Sequence, residues 1–132
     1  MTEIEKTING KVEIELKSGK YECVLNHRAI AYIYEKYNQE PIEFITEFQK
    51  TITKGTEKIK DTMELNNKIA KNITPDFLAN MLFAGLIDCK KFKTVDEVID
   101  EMIAVNYYNY KTAVLLMVGK LTRDFLTPSQ TI

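Results

Sequence analysis

The chain of 132 residues has little of what enzymes usually need: it contains no tryptophan, one histidine, two cysteines and five glycines. Cys23 and Cys89 are far apart, with neither C-x-x-C spacing nor a neighbouring histidine, so we expect two buried, reduced thiols. The glycines stand singly, which excludes a glycine-rich phosphate loop, and no G-x-S-x-G motif is present. The sequence therefore predicts no catalytic residue, no metal site and no cofactor.

The remaining titratable residues suit structural roles. His27 lies between a predicted strand and a predicted helix, where a lone histidine is typical of a capping or surface position, and no nucleophile pairs with it by motif. The carboxylates of one predicted helix form an acidic band: Asp96, Glu97, Asp100 and Glu101. Such a band is usually a solvated face, and nothing near it resembles a calcium loop.

An excess of one charge is also missing, because 18 basic and 19 acidic residues leave a net charge of −1. Only Arg28 and Arg123 are arginines, the side chain best suited to phosphates and guanine edges. This composition argues against a nucleic acid or an anionic membrane as partner. No apolar run approaches ~18 residues and no secretion signal is evident, so we expect a cytoplasmic protein.

In the first third of the chain, apolar residues first recur at every second position, as in a strand, and then at the 3.6-residue period of a helix. Apolar residues alternate with polar ones over Val12–Leu16 and Tyr21–Leu25, which predicts two strands joined by a turn at 17–20. Asn9-Gly10 favours a second hairpin turn, after a short strand at residues 4–8. Residues 1–26 should therefore form an antiparallel hairpin or meander whose dry face is covered by helices.

Residues 27–126 are predicted to form about five helices, followed by a frayed tail at 127–132, in one α+β domain that is mostly α. Asn26, Thr74-Pro75-Asp76 and the capping box Thr94–Glu97 mark helix starts. The segment Phe77–Ile87 is apolar nearly all round, which predicts a central buried helix whose Gly85 admits a close neighbour. The other helices are predicted from the stripes Ile30/Ile33/Tyr34/Tyr37, Ile42/Phe44/Ile45/Phe48/Ile52, Val95/Val98/Ile99/Met102/Ile103 and Tyr110/Val114/Met117/Leu121/Phe125.

The most polar helical stretch is predicted at Thr56–Lys71. Its apolar stripe is thin, consisting of Ile59, Met63 and Ile69, so the stretch has little to bury. It is either an ordinary solvated surface helix or a mobile arm that becomes ordered on a partner.

Aromatic residues are the most abundant candidates for a functional surface, with seven tyrosines and six phenylalanines. Tyr107, Tyr108 and Tyr110 cannot all lie on one helical stripe, so at least one should face solvent or a partner. Two interpretations stay open: an interface, or a core Tyr110 with its two neighbours capping a corner. We expect a partner groove among the last helix, the polar stretch and the Pro41–Ile52 helix, which includes Tyr107, Tyr108, Tyr110, Phe44, Phe48, Ile59 and Met63.

Several segments together resemble the tail assembly chaperones of long-tailed bacteriophages and prophages. They are Ile8-Asn9-Gly10-Lys11, the strand Tyr21–Leu25 and the run Asn26-His27-Arg28-Ala29-Ile30 leading to Glu35-Lys36-Tyr37. Leu82-Phe83-Ala84-Gly85-Leu86 followed by Thr94-Val95-Asp96-Glu97-Val98 is similar to a second arrangement in that family. The similarity spans residues 8–103, and the polar stretch Thr56–Lys71 departs from it.

The resemblance implies a protein without enzymatic activity that coats the tape measure protein and helps to recruit tail tube protein. It also implies action in the bacterial host cytoplasm, absence from the mature virion and a tendency to self-associate. Two alternatives remain: a small cytosolic adaptor or regulator that binds one protein, and a structural tail or neck subunit.

Overall fold

The computed structural model describes residues 11–126 and consists of an N-terminal two-stranded antiparallel hairpin followed by six α-helices, with 67% helix and 9% strand. The fold class is α+β and mostly α, as predicted. Two short 3-10 helices, Ile87–Cys89 and Ala104–Asn106, precede the last two α-helices. The elements are β1 (Val12–Leu16), β2 (Gly19–Cys23), α1 (His27–Tyr37), α2 (Pro41–Ile52), α3 (Thr62–Asn72), α4 (Pro75–Gly85), α5 (Val95–Glu101) and α6 (Tyr107–Leu126).

The hairpin pairs Val12 with Cys23 at its open end and Leu16 with Gly19 at its turn. Gly19 has a φ of 149°, a backbone conformation that favours glycine. The inward face carries Ile14, Leu16 and Cys23, all buried, so the predicted alternation is confirmed. The strand predicted at 4–8 and the Asn9-Gly10 turn lie outside the described residues.

The hairpin docks on the helices through backbone contacts as well as side chains. The amide of Val24 donates to the carbonyl of Gly85 at 3.0 Å, at the end of α4. A Cβ at Gly85 would lie 2.9 Å from Met117 Sδ and 3.1 Å from Cys23 Cβ. The prediction that Gly85 admits a close neighbour is therefore confirmed, because no side chain fits there without displacement.

Side-chain caps set the starts of several helices as the sequence predicts. Asn26 accepts the amide of Ala29 at 3.1 Å and Thr74 accepts that of Phe77 at 3.3 Å. Thr94 accepts the amide of Glu97 at 3.2 Å, and the Glu97 carboxylate returns to the Thr94 amide at 3.2 Å, which completes the capping box. The predicted central helix is also confirmed, since α4 contributes the buried residues Leu78, Ala79, Asn80, Met81, Leu82, Ala84 and Gly85.

Two helices are shorter than predicted. α3 begins at Thr62, where Asp61 caps it, and residues 53–61 are turns and irregular chain that include Gly55 at a φ of 78°. Ile59 is therefore not on a helix. α5 ends at Glu101: the Met102 amide closes a tighter turn onto the carbonyl of Ile99 at 3.2 Å, and the Ile103 amide donates to the hydroxyl of Tyr110 at 2.9 Å.

Some predicted core positions are exposed instead. Tyr34 and Ile42 face outward, and α1 buries Ala29 and Ile33 in the core. Cys23 is buried as predicted, whereas the expectation for Cys89 was wrong, because that thiol is exposed in the 3-10 segment before α5. Within the described residues, no helix is both long and apolar enough to cross a membrane.

Candidate protein-interaction surface

The structure separates the seven predicted partner-binding residues into two groups. Phe44, Phe48 and Tyr110 are buried in the core, so they do not form the open surface that we expected. Tyr107 and Ile59 are half-buried, Met63 is exposed on α3, and Tyr108 is 64% exposed. We predicted that at least one of Tyr107, Tyr108 and Tyr110 faces solvent or a partner, and Tyr108 is exposed.

Tyr110 is a structural residue that joins the hairpin to the helices. Its hydroxyl donates to the carbonyl of Glu15 on β1 at 2.6 Å and accepts the amide of Ile103 at 2.9 Å. Both partners are backbone groups, and the ring is almost completely buried. Tyr110 therefore fits the core interpretation left open by the sequence.

Phe44 and Phe48 belong to a cluster of four rings that also contains Tyr37 and Phe77. The centroids of Phe48 and Phe77 are 5.3 Å apart, and Tyr37 lies 5.8 Å from Phe44. Aromatic pairs at such separations contribute about 0.5–1.5 kcal/mol beyond their burial. The aromatic content of α2 is thus explained largely by packing against α1 and α4.

Tyr107 and Tyr108 flank a buried cation. Lys111 is only 8% exposed, and its ammonium lies 4.9 Å from the centroid of the Tyr107 ring and 6.0 Å from that of Tyr108. The same ammonium donates to the carbonyl of Ala70, near the end of α3, at 2.6 Å. Burial lowers the pKa of Lys111 below its ordinary value. One side chain therefore joins this tyrosine pair to α3.

An apolar groove lies beside the same corner, between the first turn of α4, α5 and the start of α6. It encloses about 330 Å³, and we call it the α5–α6 groove. Its walls are mostly carbon, with Asp76 the one ionisable carboxylate among the lining residues. The lining consists of Pro75, Asp76, Ala79, Ile99, Met102, Ile103, Ala104 and Tyr107.

One lining residue of this groove is exposed, and two further exposed apolar side chains, Val105 and Tyr108, lie next in the chain to its lining residues Ala104 and Tyr107. Ile99 is 47% exposed, Val105 is 89% exposed, and Tyr108 follows the lining residue Tyr107 in the chain. Large apolar side chains scattered singly on a surface are ordinary, but a contiguous patch marks an interaction site. This groove differs from the one we expected among α2, α3 and α6, because it lies between α4, α5 and the start of α6 and shares only Tyr107 with the predicted residues.

Sequence reasoning missed Ile99, Met102, Ile103 and Val105 as surface residues. It assigned the first three to a continuous buried stripe. A signal was available, because five apolar positions are more than a helix of about two turns can bury on one face. The chain leaves the helix at Met102, and Ile99, Met102 and Ile103 line the α5–α6 groove.

The titratable groups offer little for catalysis. Asp96, Glu97 and Asp100 are exposed, as predicted for a solvated face, and Glu97 serves the capping box. Glu101 accepts the amide of Ser18 at 2.8 Å, and hydrogen bonding from Ser18 holds the pKa of Glu101 below its usual value. His27 is exposed at the start of α1. Among residues 11–126, no group of three metal-ligating side chains is close enough to hold an ion.

Burial raises the pKa of the Cys23 thiol far above its ordinary value, with smaller contributions from Cys89 and Glu22. A protonated, inaccessible thiol is a poor nucleophile.

The α5–α6 groove, by contrast, can bind apolar groups. Taken together, the fold and the groove define a small α+β protein with an apolar surface cleft. Comparison with models of protein families, with curated proteins and with solved structures gives no match.

Proposed function

We propose that this protein is a non-enzymatic binding protein that shields an apolar helix of a partner protein in the bacterial cytoplasm. The observation that carries the proposal is the α5–α6 groove, whose lining residue Ile99 is exposed and whose lining residues Ala104 and Tyr107 have the exposed Val105 and Tyr108 as chain neighbours. An amphipathic helix buries its apolar face in such a groove through side chains at every third or fourth position.

The chemistry of the surface agrees with a helical partner. Methionine and tyrosine line the groove, and both adapt to varied apolar surfaces, because methionine is flexible and tyrosine combines a large ring with a hydroxyl. The net charge of −1 provides no strong field, so recognition depends on apolar contact rather than on long-range attraction.

The resemblance of residues 8–103 to tail assembly chaperones gives the partner a specific form. We propose that the partner is the tape measure protein, a long helical rod, with tail tube protein recruited to the same assembly. Several copies of this chain would coat one rod, and the chain would be absent from the finished virion. Coating along a rod is multivalent, so weak contacts at each groove add up to stable shielding.

The first experiment is co-expression with the long helical protein encoded beside this chain, followed by size-exclusion chromatography with light scattering. The proposal predicts a partner that stays in solution and elutes with several copies of this chain. A partner that stays insoluble while this chain elutes alone would contradict it. Stoichiometric binding to one different protein would favour the adaptor, and recovery from purified virions would favour the structural subunit.

Tyr108 tests the position of the surface. We expect Tyr108→Ala to weaken the complex about tenfold, as expected for truncation of an interface hot spot, while the thermal midpoint stays nearly unchanged. Tyr34→Ala is the matched control, because Tyr34 is a helical tyrosine, 47% exposed, outside the groove. Titration calorimetry or biolayer interferometry measures both variants. Equal losses, or no loss in either, would remove this groove from the proposal.

A further inference from the structure

The helix α3 depends on other elements for its order. It has 11 residues, and helices of this length are marginal in water without tertiary contacts. Among the residues that the structure describes, neither the buried core cluster nor the half-buried apolar side chains packed against it include a residue of α3. Since packing of an apolar face supplies most of the stability of a helix, the contacts at the ends of α3 decide how often it unfolds locally.

The C-terminal end of α3 receives a cation from another helix. The last carbonyls of a helix lack partners within it and form the negative end of its dipole. The Lys111 ammonium of α6 donates to one of them, the carbonyl of Ala70, at 2.6 Å. The Lys111 side chain is buried, so water competes little for this bond and the attraction is stronger than on an open surface. Lys111 therefore acts as a cap that α6 supplies to α3.

The same ammonium contacts a wall of the α5–α6 groove. It lies 4.9 Å from the centroid of the Tyr107 ring, and Tyr107 lines that groove. The ring of Tyr108 lies 6.0 Å from it. A cation within about 6 Å of a ring centroid is attracted by the negative face of the ring, and the attraction grows when water is excluded. One charge thus contacts both the groove wall and the end of α3.

We propose that Lys111 couples the α5–α6 groove to the order of α3, so that an occupied groove stabilises this helix. The two states involved are α3 folded and α3 locally unfolded, and such equilibria can link a binding site to a distant segment. An occupant packed on Tyr107 removes water from the corner that holds Lys111, which strengthens the bond to Ala70.

The inference rests on the proposed function and deepens it, because α3 becomes a segment whose order increases when the partner helix binds. The coupling is reciprocal, since a site that stabilises α3 when occupied is itself weakened by the same factor when α3 unfolds. The polar helix and the apolar groove would then act together, although they share no lining residue.

The coupling is tested first in the whole free protein by hydrogen exchange with mass spectrometry. Tyr107→Leu removes the ring nearest the ammonium, and we expect the amides of α3 to exchange about fivefold faster while those of α4 stay unchanged. Tyr107→Phe is the matched control, because it keeps the ring and should leave α3 unchanged. Tyr108→Leu removes the more distant, exposed ring without risk to the core and should accelerate exchange about twofold.

A double-mutant cycle shows whether the effect passes through Lys111. In a Lys111→Met protein, Tyr107→Leu and Tyr108→Leu should cause no further acceleration in α3, because the ammonium that contacts both rings is absent. In a Lys120→Met protein, each should act as it does in the unmodified chain, since Lys120 pairs with Asp124 on its own helix. Unchanged exchange of α3 in both tyrosine variants, or equal acceleration with and without Lys111, overturns the coupling.

The co-expressed partner tests the direction of the effect. Binding should slow the exchange of α3 about tenfold in the unmodified protein and leave it unchanged in the Lys111→Met protein. If the partner binds while α3 exchanges as before, the coupling is wrong and the proposed function stands. If no partner binds but the tyrosine variants accelerate α3 only when Lys111 is present, the proposed function fails and the connection between the groove wall and α3 stands.

Discussion

At the scale of single residues, close packing around a few positions holds the hairpin against the helices. Gly85 is the clearest of these, because the β2 side chain Cys23 and the α6 side chain Met117 both approach its missing Cβ. Interiors are packed to crystal-like density, so one added methyl group there displaces its neighbours. The chain thus uses glycine at this position for space and not for an unusual backbone conformation.

Gly85→Ala is expected to lower the free energy of unfolding by about 1–3 kcal/mol, the usual cost of overpacking. Urea denaturation followed by circular dichroism measures it. Gly119→Ala is the control, because a Cβ there meets only the end of Arg123 at 3.9 Å. On α6 the control should stabilise the protein by about 0.4–1 kcal/mol, since alanine restricts the unfolded chain. A Gly85→Ala protein as stable as the control would contradict the close approach.

At the scale of elements, α3 differs from the other five α-helices of residues 11–126, because none of its residues is buried. Hydrogen bonds at its C-terminal end connect α3 to the rest of the protein. Asn72 donates to the carbonyls of Ile52 and Lys54, each at 3.0 Å, and Lys111 donates to the carbonyl of Ala70. Helices with few buried contacts belong to the low-stability part of a structure and open locally.

Lys111→Met should loosen α3 while the rest of the fold stays intact. Methionine keeps an unbranched stem in the site but removes the ammonium that bonds Ala70, and charged hydrogen bonds contribute about 1.5–3 kcal/mol. Hydrogen exchange with mass spectrometry should show amides of α3 exchanging about tenfold faster or more, with α4 unchanged.

The control for this change is Lys120→Met, which removes a lysine of α6 that pairs with Asp124 on the same helix. Exposed pairs of this kind contribute little, and this one does not touch α3. If both variants loosen α3 equally, Lys111 does not hold it.

At the scale of the whole molecule, the hairpin and the helices share one core. Buried side chains from both strands, from α1 and α2, and from α4 to α6 pack in one cluster. Tyr110 adds a polar connection inside it, since its hydroxyl joins Glu15 of β1 to Ile103 before α6. Loss of this connection should therefore affect the whole unfolding transition.

Tyr110→Phe is expected to lower the free energy of unfolding by about 1–3 kcal/mol, because the partly buried carbonyl of Glu15 and amide of Ile103 lose their partner. Tyr108→Phe, on the exposed neighbour, should change it by less than about 0.5 kcal/mol. Thermal unfolding followed by circular dichroism, together with denaturant titration, compares them. A neutral Tyr110→Phe variant would show that water replaces the hydroxyl.

Much of the fold was predictable because its signals are local. The alternation at Val12–Leu16 and the caps Asn26, Thr74 and Thr94 act within a few residues, and each cap begins the helix predicted to follow it. The boundaries of α3 and α5 were not predictable, because Ile59 and Ile103 fit a helical stripe and only competing partners remove them from it. For the candidate site, helical spacing predicted only that at least one of Tyr107, Tyr108 and Tyr110 is exposed. Tyr108 is that residue.

The sequence by itself determined the fold class, the central position of α4 and the need for space at Gly85, because periodicity, capping and apolar content act along the chain. Only the tertiary structure decided which apolar residues remain outside. It buried Phe44, Phe48 and Tyr110 and opened the α5–α6 groove at Ile99. The physical reason is that burial depends on neighbours distant in sequence, and no local pattern specifies them.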